Sequence, residues 1–128
     1  MTTALREDEL LVEARLPLLA ADARFGFYEF NRRSGDFAMA AALATYRVEG
    51  GRIVAPRVAL GGVEPSPRRI AEAEHALAGA TPGEAAFRAA AAAAAAAVEP
   101  MEDFTTSADY RRELVLAVTR RALERAAA

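Results

Sequence analysis

Two textures divide the chain, a first half patterned with period two and a second half patterned with the period of a helix. From Glu9 to Leu16 the residues Leu10, Val12, Ala14 and Leu16 alternate with Leu11, Glu13 and Arg15, which predicts a half-buried strand closed by Pro17. A loop from Leu18 to Arg24 leads to a second short strand, where Phe25, Phe27 and Glu29 alternate with Tyr28 and Phe30 on a surface suited to aromatic side chains. The polar run Asn31–Arg32–Arg33–Ser34–Gly35–Asp36 breaks that strand in a turn, with Gly35 free to take a positive φ. Phe37 to Val48 is rich in alanine, a helix former, yet Phe37, Met39, Ala41 and Leu43 keep a strand-like alternation. The Glu49–Gly50–Gly51–Arg52 hairpin signal decides for a strand, paired with a β-branched run from Ile53 to Leu60 in which Pro56 demands an edge or a bulge.

Beyond Gly61–Gly62 the helical period takes over. Ser66 as N-cap and Pro67 at the first helical position open a helix whose stripe is Ile70, Ala73 and Leu77, with Gly79 as its stop. Thr81–Pro82–Gly83–Glu84 has the spacing of a capping box and opens a second helix that runs through Phe87 and an alanine tract to Val98. The tract brings propensity but little side chain to bury; it suits close approach to a neighbouring element, or equally the slippage of a tolerant low-complexity segment. A third helix begins near Ser107, with Tyr110, Leu114, Ala117, Val118 and Leu123 as its core stripe. Four antiparallel strands followed by three helices define an α+β fold, a small antiparallel sheet packed with three α-helices, within one domain spanning residues 1–128.

Composition narrows the chemistry. The 128 residues contain no Cys and one His, which removes disulfides, thiolate nucleophiles, Cys-ligated zinc, iron–sulfur ligation and any two-His metal site. Every cation is Arg, so Schiff-base lysine and Walker-type phosphate lysine are excluded. A net charge of −2 offers no field for nucleic acid or an anionic membrane. The charged residues before Leu16 leave no apolar stretch for a signal peptide, and the apolar run at 89–98 is about half the length of a membrane span. A cytoplasmic protein is expected.

Individual candidates mostly have plain explanations. His75 sits off the apolar stripe of its helix, with no sequence-near nucleophile or carboxylate forming a triad signature. The pairs Glu72 with Glu74 and Glu9 with Glu13 read as charge on solvated faces. Gly61–Gly62 lacks the spacing of a phosphate loop and suits a bend at a strand end. Arg111–Arg112 and Arg120–Arg121 are interleaved with Glu113 and Glu124 and read as solvated helix face, or else as a subunit interface. The segment from Phe25 to Phe37 differs. It gathers five aromatics with Glu29, Arg32, Arg33 and Asp36 around one turn, the arrangement of a binding surface on a rigid scaffold.

The string from Phe25 to Ala38, FGFYEFNRRSGDFA, resembles the G-F-x-E and R-R-x-G-D-F-A segment of the FAD-containing medium subunit of xanthine dehydrogenase and aerobic carbon monoxide dehydrogenase, the molybdenum hydroxylases. Three more blocks agree in order: Asp8–Glu9–Leu10–Leu11 through Leu16–Pro17, then Gly61–Gly62–Val63 with Pro65, Pro67, Glu72–Ala73–Glu74 and Leu77–Ala78–Gly79, and finally Tyr110–Arg111–Arg112 with Arg120–Arg121–Ala122–Leu123. The resemblance covers the C-terminal domain of that subunit. The family's upstream domain, whose A-G-G-T/H and T-I-G-G-N loops hold most of the FAD, has no counterpart in these residues, which fits an excised domain, a separately encoded half or a relic.

The resemblance implies a small antiparallel sheet with a three-helix bundle. It implies a complex in which electrons pass from a molybdenum cofactor in a large subunit through iron–sulfur clusters in a small subunit to FAD, with the substrate chosen on the large subunit. The segment matching residues 27–36 lies near the isoalloxazine in that family. Carried over residue by residue, Phe27 or Tyr28 supplies an apolar or stacking surface, while Glu29, Arg33 and Asp36 set local charge and hold the loop. The plainer alternative is that Arg33 and Asp36 pair only to fix the turn. FAD binding is then expected only with a partner FAD-domain polypeptide, and no catalysis by the chain alone. An interaction or assembly module that kept the fold without flavin is the alternative function.

Overall fold

The computed structural model describes residues 4–128. Its regular elements are β1 (Arg24–Phe30), β2 (Ala40–Glu49), β3 (Arg52–Gly61), β4 (Arg68–Arg69), α1 (Ala71–Leu77), α2 (Glu84–Ala97) and α3 (Ala108–Ala127). The strands form one antiparallel sheet in the order β1-β2-β3-β4, with the helices on one face. This is the α+β architecture read from the sequence. Its fourth strand, however, is not the one expected.

Residues 9–16 form no strand, and in their place the two-residue β4 pairs Arg68 with Leu60 and Arg69 with Ala59. A strand needs a ladder as well as an alternating pattern, and nothing among the described residues offers one to this segment. The same ladder displaces the predicted start of the first helix. Ser66 and Pro67 do not cap it: Arg68 and Arg69 are held by β3, Ile70 donates its N–H to the Val58 carbonyl at 2.8 Å, and α1 begins at Ala71 without a side-chain cap. The capping box at Thr81 is also unused, because α2 starts after Gly83. Ser107 does cap α3, accepting a hydrogen bond from the Tyr110 N–H at 3.2 Å.

The β2–β3 hairpin turns on Gly50 and Gly51, whose φ values of 56° and 76° are those a two-residue primed turn requires. Pro56 sits at a bulge: Thr45 pairs with Arg57 but Arg47 with Val54, leaving one extra residue on β3, with Ala55 at φ 47°. The extra residue changes the phase of β3, so Ile53 and Val58, five apart, both face the core. They join Ala40, Ala42, Ala44 and Tyr46 of β2 on the helix side.

The small alanines of β2 leave room for α3, which lies across β1 and β2. At Gly26 the approach is so close that a Cβ would stand 2.0 Å from the Ala122 carbonyl oxygen and 2.6 Å from the Ala126 nitrogen. Ala90, Ala91, Ala94 and Ala95 form the buried side of α2, which packs against both α1 and α3. On the opposite sheet face Phe25, Phe27 and Leu43 remain exposed.

Candidate functional site

β1 ends in a projecting bend, and α3 runs behind it. Met39 donates its N–H to the Phe30 carbonyl at 2.8 Å and closes the base of the bend. Within it, the Asp36 N–H bonds the Arg33 carbonyl at 3.1 Å, Asn31 reaches the Asp36 carbonyl at 3.4 Å, and Gly35 takes a φ of 92°. The Arg33 and Asp36 side chains form no ion pair with each other among the described residues; backbone bonds hold the turn. Residues 32 to 37 are all exposed.

Alternation along β1 sends Tyr28 to the helix side and Phe27 and Glu29 to the outer face. The guanidinium carbons of Arg121 and Arg125 lie 4.9 and 4.7 Å from the centre of the Tyr28 ring, within cation–π range. Arg121 also donates to the Tyr28 hydroxyl, and Arg125 to the Phe27 carbonyl at 2.9 Å. The C-terminal half of α3 therefore fixes the end of β1 by four cationic contacts. Phe27 keeps 46% of its surface exposed.

An open hollow of about 430 Å³ lies between strand end and bend, lined by Phe27, Tyr28, Glu29, Ser34, Gly35 and Arg125. The structure thus brings three of the five sequence-nominated residues, Phe27, Tyr28 and Glu29, to one concavity. Arg33 does not line it, and Asp36 lines a second, smaller hollow of about 200 Å³ on the other flank, together with Arg32, Phe37 and Arg111.

Arg111 is the residue that the sequence reading misplaced. Far from being solvated helix face, it is 4% exposed and takes the core position assigned to Tyr110, which is exposed instead. Its Nη1 donates to the carbonyls of Met39 at 2.9 Å and Gly62 at 2.6 Å, and its Nη2 to Asp103 at 2.6 Å. One guanidinium thereby joins the base of the bend, the end of β3 and the loop before α3. The signal was present in the phase: position 111 precedes Leu114 by three and Val118 by seven, on the buried stripe. Asp103 has its pKa lowered, chiefly by the hydrogen bonds it accepts from the Thr105 side chain and backbone and further by the nearby Arg111 charge.

Gly62 confirms the bend reading over a phosphate loop, for its φ is 73° and a Cβ would stand 2.4 Å from the Ala38 carbonyl oxygen. His75 is exposed, as expected.

A helix-backed four-stranded sheet with a projecting, charged β1–β2 bend and an open, aromatic-edged hollow defines a small α+β domain. Residues 25–126 match the CO dehydrogenase flavoprotein C-terminal domain, and the chain belongs to that family, the FAD-binding medium subunits of molybdenum hydroxylases. It is 34% identical to the carbon monoxide dehydrogenase medium chain of Hydrogenophaga pseudoflava, over 97% of this chain and 43% of that one. It is 33% identical to the caffeine dehydrogenase subunit beta of Pseudomonas sp. strain CBB1, over 99% and 43%. Among solved structures, carbon monoxide dehydrogenase from Hydrogenophaga pseudoflava superposes with a TM-score of 0.90 at 38% identity, covering 98% of this chain and 44% of that chain. Quinoline 2-oxidoreductase from Pseudomonas putida 86 superposes with a TM-score of 0.77 at 37% identity, over 82% and 37%. The chain thus spans less than half the length of the relatives it matches. No helix among its described residues is long and apolar enough to cross a membrane.

Proposed function

We propose that the chain is the C-terminal module of an FAD-containing electron-transfer subunit in a molybdenum hydroxylase complex, closing over one side of the flavin and contacting partner subunits. The observation that carries this reading is the hollow at the end of β1, edged by an exposed aromatic ring and backed by a strand end that α3 holds fixed. Its volume of about 430 Å³ falls at the small end of ligand sites, and one side is open. These features fit part of a planar ring system better than a whole dinucleotide, so the main hold on FAD belongs to another domain.

When bound, FAD supplies the electron-accepting and electron-donating chemistry. The work of this chain is to shape the surroundings. Phe27 presents an apolar face and excludes water from it. Tyr28, its ring already engaged by Arg121 and Arg125, is a rigid backing whose hydroxyl is oriented by Arg121. Glu29 places a carboxylate at the rim, while Arg33 and Asp36 bring opposite charges on the bend and adjust the electrostatics of the cofactor from outside the hollow. Partner subunits carrying molybdenum and iron–sulfur centres, in the cytoplasm, complete the proposed complex.

The test is the visible spectrum of the purified chain with added FAD, alone and mixed with a separately expressed FAD-domain polypeptide. Stoichiometric yellow flavin in the mixture, and little or none with the chain alone, is the expected result. A mixture in which the two polypeptides associate but the Phe27→Ala and Glu29→Gln variants leave the flavin spectrum and potential unchanged would overturn the assigned wall and favour an assembly module.

A further inference from the structure

The two edges of the sheet are finished differently. Along β3 the outward backbone groups are taken. Ile53 donates its N–H to the Ala80 carbonyl at 2.9 Å, and its own carbonyl accepts from the Gly79 N–H at 2.8 Å. The Val58 carbonyl accepts from the Ile70 N–H at 2.8 Å, and the Val58 N–H donates to the Glu74 carboxylate at 3.1 Å. Between these two positions lies the bulge with Pro56, which has no N–H, and beyond them β4 pairs with Ala59 and Leu60. That edge is closed to a further strand.

β1 forms the opposite edge. Its Phe30 carbonyl turns inward and accepts from Met39, whereas the Phe27 carbonyl, three residues away, turns outward to Arg125. Alternation therefore turns the N–H and carbonyl of Phe25, Phe27 and Glu29 away from β2. Among the described residues only one of these outward groups has a partner, the Phe27 carbonyl with Arg125 at 2.9 Å. Of the regular elements, only β2 and α3 touch β1. The side chains sharpen the hazard, because Phe25 is 66% exposed and the facing pair Phe27 and Leu43 is exposed beside it. A seven-residue edge with free backbone groups and exposed aromatics is a template for strand pairing.

The strand that fits this edge is β1 of a second copy. A two-fold axis through Phe27 sets two β1 strands antiparallel, pairing Phe27 with Phe27 and Phe25 with Glu29. Every outward N–H and carbonyl then meets its complement, and the two Phe27 rings become a cross-strand aromatic pair. One side chain stands in the way. Arg125 occupies the Phe27 carbonyl, which lies at the axis, and the axis would bring the Arg125 of both copies together, each without its acceptor and facing a like charge. The arm is held in place by the Tyr28 ring, 4.7 Å from its guanidinium carbon, and the end of α3 is tied to β1 by Arg24, which donates to the Ala127 carbonyl at 3.1 Å.

We infer that β1 is a strand-pairing surface for a second copy of this chain, kept shut by Arg125, whose guanidinium covers the central acceptor and sets a positive charge where the two copies would meet. The inference rests on the sheet edge alone and makes no use of flavin.

The experiment combines sedimentation equilibrium with amide hydrogen exchange read by NMR, on the full chain and its variants over a range of protein concentrations. The parent should remain monomeric, with the Phe25, Phe27 and Glu29 amides exchanging at rates independent of concentration. Arg125→Ala should form a dimer as concentration rises, and those three amides should slow by about tenfold or more in it. Adding Phe25→Pro removes one outward N–H while sparing the ladder to β2, so the double variant should return to monomer. An Arg125→Ala protein that stays monomeric, or that associates with the three amides still exchanging freely, would overturn the inference. So would protection of these amides that rises with concentration in the parent, since Arg125 would then not be what closes the edge. Exchange in Arg125→Ala decides the matter by itself should proline at position 25 unfold the domain.

Discussion

Replacing Arg111 by methionine keeps most of the buried volume and removes every hydrogen bond the guanidinium makes. The carbonyls of Met39 and Gly62 then lose a charged donor in a partly buried site, and the half-exposed Asp103 loses its cation. Hydrogen bonds to a charged group contribute about 1.5–3 kcal/mol each, and the one to the half-exposed Asp103 falls at the low end. Against this stands relief of the desolvation that the guanidinium suffers, including its Nε, which has no partner. The net loss is about 3 kcal/mol, or roughly 11 °C in melting temperature for a domain of this length. Arg111→Lys keeps the charge but offers a point donor in place of a fork, so it should recover less than half of the loss. Urea unfolding followed by circular dichroism measures both variants. Should Arg111→Met unfold within about 0.5 kcal/mol of the parent, the three hydrogen bonds would not be what joins bend, strand and loop, and the reasoning fails.

Three further outcomes follow from the same structure. Gly26→Ala drives a methyl group into the α3 backbone and should cost about 3 kcal/mol in a urea titration, with no easier repacking available. Ser107→Ala removes the hydroxyl that accepts from the Tyr110 N–H and should cost about 1 kcal/mol, read in the same titration. The third outcome concerns acid. Burial pushes the Glu74 carboxyl up, but the Arg69 guanidinium and the Val58 N–H outweigh it and hold the pKa below the ordinary 4.5; Glu64 is held down chiefly by Arg68. A carboxyl whose pKa is lower in the folded state stabilises the fold above the unfolded value, and that contribution fades as pH falls through the folded one. Stability should therefore decline below about pH 4.5, and Glu74→Gln should flatten the decline in melting temperature against pH.

What could be read from the chain divides by the range of the interaction. The Gly50–Gly51 turn, the irregularity at Pro56 and the start of the third helix near Ser107 depend on neighbours in sequence and stand where the pattern put them. Ser66–Pro67 and Thr81–Pro82 are equally good local signals, yet neither opens its helix. A ladder to β3 claims Arg68 and Arg69, and α2 waits until Gly83. The strand expected at 9–16 failed for a longer-range reason, since pattern specifies a face and not a partner. At the candidate site, the aromatic strand and its bend were legible because composition changes sharply there. The grip of Arg121 and Arg125 on Tyr28 joins residues about a hundred positions apart and left no local trace. Arg111 was hidden by its own type, because charge suggested water while phase placed it in the core.

The alanine tract of α2 acts as a spacer that records length and not identity. From Ala89 to Ala97 any residue can stand in for its neighbour, so one inserted alanine changes nothing where it enters. It does turn everything beyond it by about 100° and moves it roughly 1.5 Å along the axis. Phe87 and Val98, both buried, bracket the tract and would sense the error at once. Drift in the number of alanines should thus be tolerated only in steps that restore the angle between those two side chains, whatever the individual codons do.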